Sequence, residues 1–336
     1  MMAIIIRIIK QMKNDKRSLA LILLVPLLIM TMMYYVYGDL SYVPKIALEN
    51  VPSSFETVLR EQNLVIVEAV SDLDQMLEDK TIDAVLSVDG SGIHVKLLEL
   101  NSMKVSLISK EITAALKALN PSSTGLQVEY LYGDMNGSTF DSLGYVLLGV
   151  LSFFFVFLIA GVSFVRERTL GTMERFMLSP ISRAKVVLGF LFGFGFFAVL
   201  QSLLVVFFVK YVLGLAIVGS LLGVIVIMIL LSFVAVALGS LVSTFANNEF
   251  QVAQFIPIIV VPQLFFSGLI PIELLPFGLG NLAYITPVYY ACDALNLLMV
   301  KGAGFLEVLP QAGVLLGVVI LLFFANTLLL KKYRTI

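Results

Sequence analysis

The sequence predicts an α-helical polytopic membrane protein: six transmembrane helices, with an α/β extracytoplasmic domain inserted between helices 1 and 2. Three observations predict it. Of 336 residues, 59% are hydrophobic and only 13% are charged, roughly half the ~25% that covers an ordinary soluble domain. Six charge-free runs are long enough, at about 1.5 Å per residue, to cross a ~30 Å hydrocarbon core. Charge is also partitioned: residues 39–141 carry 16 acidic and 7 basic side chains, and the rest of the chain carries 7 acidic and 15 basic. The same composition excludes disorder, which needs low hydrophobicity and high charge. A single cysteine, Cys292, excludes an intramolecular disulfide framework, and a single histidine, His94, excludes a His/Cys-rich zinc site.

In chain order, residues 1–17 set Ile5, Ile8, Ile9 and Met12 against Arg7, Lys10 and Lys13, the pattern of an amphipathic helix lying in the cytoplasmic interface. Residues 18–38 form transmembrane helix 1. The run is too long for the apolar core of a signal peptide, no small-x-small cleavage site follows it, and Tyr34, Tyr35 and Tyr37 resemble an interfacial aromatic belt. Residues 39–141 form the α/β domain, and residues 142–336 hold helices 2–6. The expected spans are 142–165, 186–209, 216–242, 250–272 and 308–330. Basic residues cluster before span one (Arg7, Lys10, Lys13, Lys16, Arg17), between spans two and three (Arg166, Arg168, Arg175, Arg183, Lys185) and after span six (Lys331, Lys332, Arg334). Six spans put all three clusters on one side. The positive-inside rule makes that side cytoplasmic, both termini with it, and the acidic block extracytoplasmic.

The acidic block reads as β-α-β-α-β-β-α. Strands are expected at 45–49, within 64–70, at 82–88 and up to 98. A helix follows the Ser53–Glu56 capping box, another runs from Ser71 to 80, and a third, over 101–120, has Ile108, Ile112, Ala115 and Leu119 on one face. Asp72, Asp74, Asp79 and Asp83 lack EF-hand spacing and read as solvated surface. His94 lies on a strand with no second ligand nearby.

No catalytic constellation appears: there is no phosphate-binding G-x-x-x-x-G-K-[ST] loop, no H-E-x-x-H and no G-x-S-x-G. The informative segment is 166–185. A short helix is expected to start at Thr169 or Thr172, and Ser179-Pro180 is an N-cap and N1 pair for the next one. The short helix reads either as a plain interfacial element in a positive-inside loop, or as a face that docks into a partner's groove through Phe176, Met177 and Leu178.

Glu167-Arg168-x-x-Gly171-Thr172-x-Glu174, followed by Leu178-Ser179-Pro180, resembles the cytoplasmic loop of ABC-2 type transporter permeases. Phe266-Ser267-Gly268-Leu269-Ile270-Pro271, then Leu275-Pro276, then Thr286-Pro287-Val288-Tyr289-Tyr290, is similar to that family's segment before its last span. The branch most resembled is that of bacterial drug and antibiotic-resistance exporters. The resemblance implies a permease in the bacterial cytoplasmic membrane that pairs with a second, identical or related, permease chain and with separate ABC ATPase subunits. Those subunits bind ATP and Mg, and this chain binds no cofactor. It also implies that Glu167, Arg168, Gly171, Thr172, Glu174, Arg175, Phe176 and Leu178 form the coupling contact with the ATPase.

Pro257, Pro262, Pro271, Pro276 and Pro287 break helices and Gly268, Gly278 and Gly280 loosen them, which makes 274–300 a candidate re-entrant segment. Glu273 and Asp293 border or occupy it, lying either at membrane depth or at the outer interface. With Gln201, Gln254 and Gln263 they are candidates for a translocation path. Interhelical hydrogen bonding accounts equally well for the glutamines. Apolar lining favours an amphipathic or lipid-like cargo. An ATP-independent transporter or channel is the first rival, and a receptor with an extracytoplasmic sensing domain the second.

Overall fold

The computed structural model describes residues 1–37, 43–67, 73–79, 81–89, 92–97, 102–119, 139–178, 181–269 and 276–330. The chain divides into two compact units, one made of Met1–Asp39 and Leu131–Ile336, the other of Leu40–Tyr130.

Helix α1 (Met2–Asn14) opens the larger unit. Its buried stripe is Ile4, Ile8 and Met12, rotated from the expected Ile5/Ile8/Ile9/Met12 face. The cause is packing: a Cβ at Gly189 would lie 2.9 Å from Ile4, and one at Gly193 would lie 2.8 Å from Ile8. Glycines of a later helix thus make the groove that receives α1. Helix α2 (Lys16–Tyr37) begins at once. Asp15 caps it, its carboxylate accepting from the Ser18 N–H at 3.2 Å and the Ser18 hydroxyl at 2.9 Å.

The smaller unit runs β1 (Lys45–Glu49), α3 (Ser53–Arg60), β2 (Val65–Val67), α4 (Leu73–Glu78), β3 (Ala84–Asp89), β4 (Gly92–Leu97) and α5 (Ser102–Leu119). The sheet order is β2-β1-β3-β4, with β1 parallel to β2 and β3, and β4 antiparallel to β3. Strand alternation splits the core into two layers. Ile46, Ala84 and Leu86 pack on Phe55, Leu59, Ile108 and Ile112, while Ala47 and Val85 pack on Met76 and Leu77. The expected order of elements is the observed one, but the capping box does not form. Pro52, extended at ψ 138°, holds the N-cap position of α3 and makes no side-chain cap, so Ser53 falls inside the helix and Glu56 pairs with Arg60 at 2.7 Å. Ser71 lies outside the described residues.

The larger unit resumes with α6 (Thr139–Thr169), α7 (Thr172–Leu178), α8 (Arg183–Tyr211), α9 (Leu221–Ser243), α10 (Glu249–Gln254) and α11 (Ile256–Leu264). A π turn (Phe265–Leu269), a 3-10 segment (Pro276–Ile285), α12 (Pro287–Met299), a second 3-10 turn (Phe305–Val308) and α13 (Leu309–Leu329) complete it. Among the described residues, six helical stretches are long and apolar enough to cross a membrane: Lys16–Tyr35, Leu143–Thr169, Arg183–Tyr211, Leu221–Ser243, Glu249–Leu269 and Phe305–Leu329. The bundle is centred on α6 and α9, whose backbones touch where Gly161 meets Gly239.

Three local expectations are corrected. The fourth span starts at Leu221 rather than near 216, because the backbone of 218–220 is committed elsewhere: Gly219 N–H donates to Leu298 O at 2.8 Å, and Ser220 caps α9 through Gly223 N–H. The fifth span is not one helix. It breaks at Phe255 ahead of Pro257 and again at Gly268, whose φ of 90° no ordinary residue adopts cheaply. Ser182, not Ser179, sits at the N-cap position of α8, and Ser179 and Pro180 lie outside the described residues. Within the stretch 274–300, α12 is a buried helix, with Val288, Ala291, Cys292, Leu295 and Leu298 turned inward among α6, α9 and α13.

Candidate coupling site

The segment 166–178 is built by the end of α6 and a tight turn. Gly171 has φ 67° and its N–H donates to Arg168 O at 2.9 Å. That left-handed position ends α6 and lets α7 start on a new axis, as a C-terminal glycine commonly does.

Among the described residues, three ion pairs tie this turn to distant parts of the chain. Glu167 is 1% exposed, and its Oε2 accepts from Arg7 Nη2 at 2.9 Å and from the Thr172 hydroxyl. Glu167 Oε1 has no partner among the described residues. The Arg7 guanidinium also lies 5.2 Å from the centre of the Phe176 ring. Arg166 bridges Asp15 at 2.8 Å and Glu249 at 3.0 Å. Arg168 donates to the carbonyls of Ser243 and Ala246, closing the ends of α6 and α9 together. Burial pulls the Asp15 carboxyl up, but the Ser18 hydrogen bonds and Arg166 outweigh it and hold the pKa below the usual carboxylate value.

The predicted coupling residues therefore divide in two. Glu167, Arg168, Gly171 and Thr172 face their own chain and hold the turn. Met173 is buried and Phe176 is packed over Phe190. Arg175 is exposed, and Leu178 is 85% exposed. Glu174 lies on α7, but its side chain is outside the described set. Sequence reasoning missed Arg7, Asp15 and Glu249. Their partners are about 80 to 160 positions away in sequence, so no local pattern carries the signal.

The candidate path residues that are described share no hydrogen bond with one another. Gln201 is fully buried on α8, and neither amide atom has a partner among the described residues. Beside it Ser202 and Ser232 share a hydrogen bond of 2.7 Å. Gln254 is exposed on α10. Gln263 is buried and donates to Ile259 O at 3.3 Å. Asp293, half-buried on α12, accepts from Gln311 Nε2 at 2.8 Å. Glu273 lies outside the described residues. No hydrogen bond among the described residues joins any two of these side chains. A polar contact not anticipated lies on α13, where Asn326 accepts from Ser240 at 2.9 Å and donates to Ala237 O at 3.0 Å.

Six long apolar stretches among the described residues, with a short helix bolted to one end of the bundle, define a helical protein of multi-pass membrane type. The profile of ABC-2 family transporter proteins matches residues 16–328, and the chain belongs to that family. The match begins at the first residue of α2 and leaves α1 outside it. ABC transporter G family member 20 of Dictyostelium discoideum is 26% identical over 80% of this chain and 36% of its own length. The inner membrane transport permease YhhJ of Escherichia coli is 26% identical over 46% of this chain and 41% of its own. The probable multidrug ABC transporter permease YbhS of Escherichia coli is 31% identical over 41% of this chain and 37% of its own. The chain thus spans well under half the length of these relatives.

Proposed function

We propose that this chain is the permease subunit of an ATP-driven exporter, and that residues 166–185 seat against a separate ABC ATPase carrying ATP and Mg. The observation that carries the reading is the two-sided character of α7. One side is anchored through Met173 and Phe176, and the turn before it is held by Arg7–Glu167. The other presents Arg175 and the almost fully exposed Leu178. An apolar residue beside a cation on a rigidly held helix suits a groove in a protein partner. Glu167, Arg168, Gly171 and Thr172 keep α7 in place, while Arg175 and Leu178, with Glu174 beside them, make the contact.

In this reading α1, the 166–185 segment and both termini are cytoplasmic, the α/β unit is extracytoplasmic, and the host membrane is the bacterial cytoplasmic membrane. A second permease chain, identical or related, completes the transporter. The 274–300 segment dips into the membrane from outside. Gln201, Gln254, Gln263, Glu273 and Asp293 remain the candidates for the route of an amphipathic compound, and a drug or antibiotic is the proposed class.

The test uses the complex as purified by pulling down this chain. A P-loop ATPase is expected to copurify. Leu178→Asp and Arg175→Glu are each expected to lower transport about tenfold, the effect of losing one contact worth ~1.4 kcal/mol, without a change in the thermal midpoint of the chain. Wild-type ATP turnover and transport in both variants would remove α7 from the coupling role.

A further inference from the structure

Helix α1 carries more apolar surface than α8 covers. Ile4 and Ile8 pack over the α8 glycines and Met12 is buried on the same stripe, yet at 100° per residue Ile5, Ile9, Met2 and Ile6 continue the apolar stripe around the helix. Met2 is 65% exposed and Ile6 47%. Lys10 borders this second face, Lys13 falls on it in the last turn of the helix, and Lys16 and Arg17 follow in the first turn of α2; all four are exposed. None of these four has an acidic partner among the described residues, because the nearby carboxylates are occupied: Asp15 and Glu249 by Arg166, Glu167 by Arg7.

An apolar band edged by cations that the chain does not neutralise complements one surface above others, an anionic phospholipid leaflet. Acyl chains meet the band and phosphates meet the cations. We infer that α1 and the first turn of α2 bind anionic phospholipid headgroups through Lys10, Lys13, Lys16 and Arg17. The inference needs no ATPase, so it is tested apart from the function proposed above.

The full-length chain is reconstituted in phosphatidylcholine vesicles containing spin-labelled phosphatidylglycerol or spin-labelled phosphatidylcholine. The motionally restricted fraction then gives the preference of the chain for the anionic lipid. One basic residue near an anionic surface is worth about five- to six-fold. Replacing Lys10, Lys13, Lys16 and Arg17 together by Gln is therefore expected to lower the preference at least about two-fold, allowing for the other basic segments. Replacing the three lysines by Arg is expected to keep it, which separates charge from folding. The preference should weaken in high salt and be untouched by millimolar glycerol 3-phosphate. Three results would overturn the inference: no preference in the wild type, competition by the soluble phosphate, or a loss no larger than that from neutralising Lys331, Lys332 and Arg334. A fourth is an unchanged preference with loss of a copurifying protein, which would assign the cations to a protein interface.

Discussion

Glu167 shows how a charged residue comes to rest in an apolar frame. It is 1% exposed, and its charge is met by an arginine that is itself 38% exposed. Removing one partner of a fully buried pair costs about 3–5 kcal/mol, since the other charge is stranded. With Arg7 partly in water, about 1–3 kcal/mol is expected for Arg7→Ala, read as a lower thermal midpoint in detergent. Arg7→Ala with Glu167→Gln should recover part of that loss, and strict additivity would show that the two residues do not interact. Asp15 makes a separate, pH-dependent contribution. Its folded pKa lies below the unfolded value near 3.8, so its stabilisation is complete above that value and is lost as pH falls through the folded pKa. Between pH 6 and pH 3 the thermal midpoint of the wild type should fall more than that of Asp15→Asn. Parallel curves would dismiss Asp15 as the source.

Helix by helix, the glycines decide how closely the bundle closes. A Cβ at Gly239 would lie 2.6 Å from the Phe157 carbonyl oxygen and 2.9 Å from the Gly161 nitrogen, both backbone atoms that cannot rotate away. Gly239→Ala should therefore cost about 1–3 kcal/mol by forcing α6 and α9 apart. Gly313 on α13 has open space around it, and alanine there should be neutral or stabilising by up to ~1 kcal/mol. Thermal unfolding of the two variants side by side checks the contrast, and equal effects would mean that the crossing is not tight. The charge-free runs made all six spans readable to within about five residues, the start of α9 being the furthest off. Hydropathy is blind to the breaks at Phe255 and Gly268; the sequence signal for them is Pro257 and Gly268 themselves.

For the whole chain, charge partition makes a topological prediction. Cys292 is buried, so the wild type should resist a membrane-impermeant thiol reagent. In intact cells, Ser54→Cys on the exposed start of α3 should label from outside, while Leu178→Cys should label only after permeabilisation. The reverse pattern would invert the orientation and take the coupling proposal with it. The same bookkeeping of charge made the α/β unit legible as a separate body, because its strands and helices follow short-range periodicity.

What the sequence determined alone is what depends on neighbours within about twenty residues. That covers the number of long apolar stretches, the order of elements in the α/β unit, the short helix after Gly171 and the motifs shared with the ABC-2 family. Only the tertiary structure decided which members of those motifs turn inward. Arg7 reaches Glu167 across 160 positions of chain, and Gly189 and Gly193 choose which stripe of α1 is buried. Such pairings are set by helix packing in three dimensions, where close approach and charge neutralisation select partners that no local spacing records.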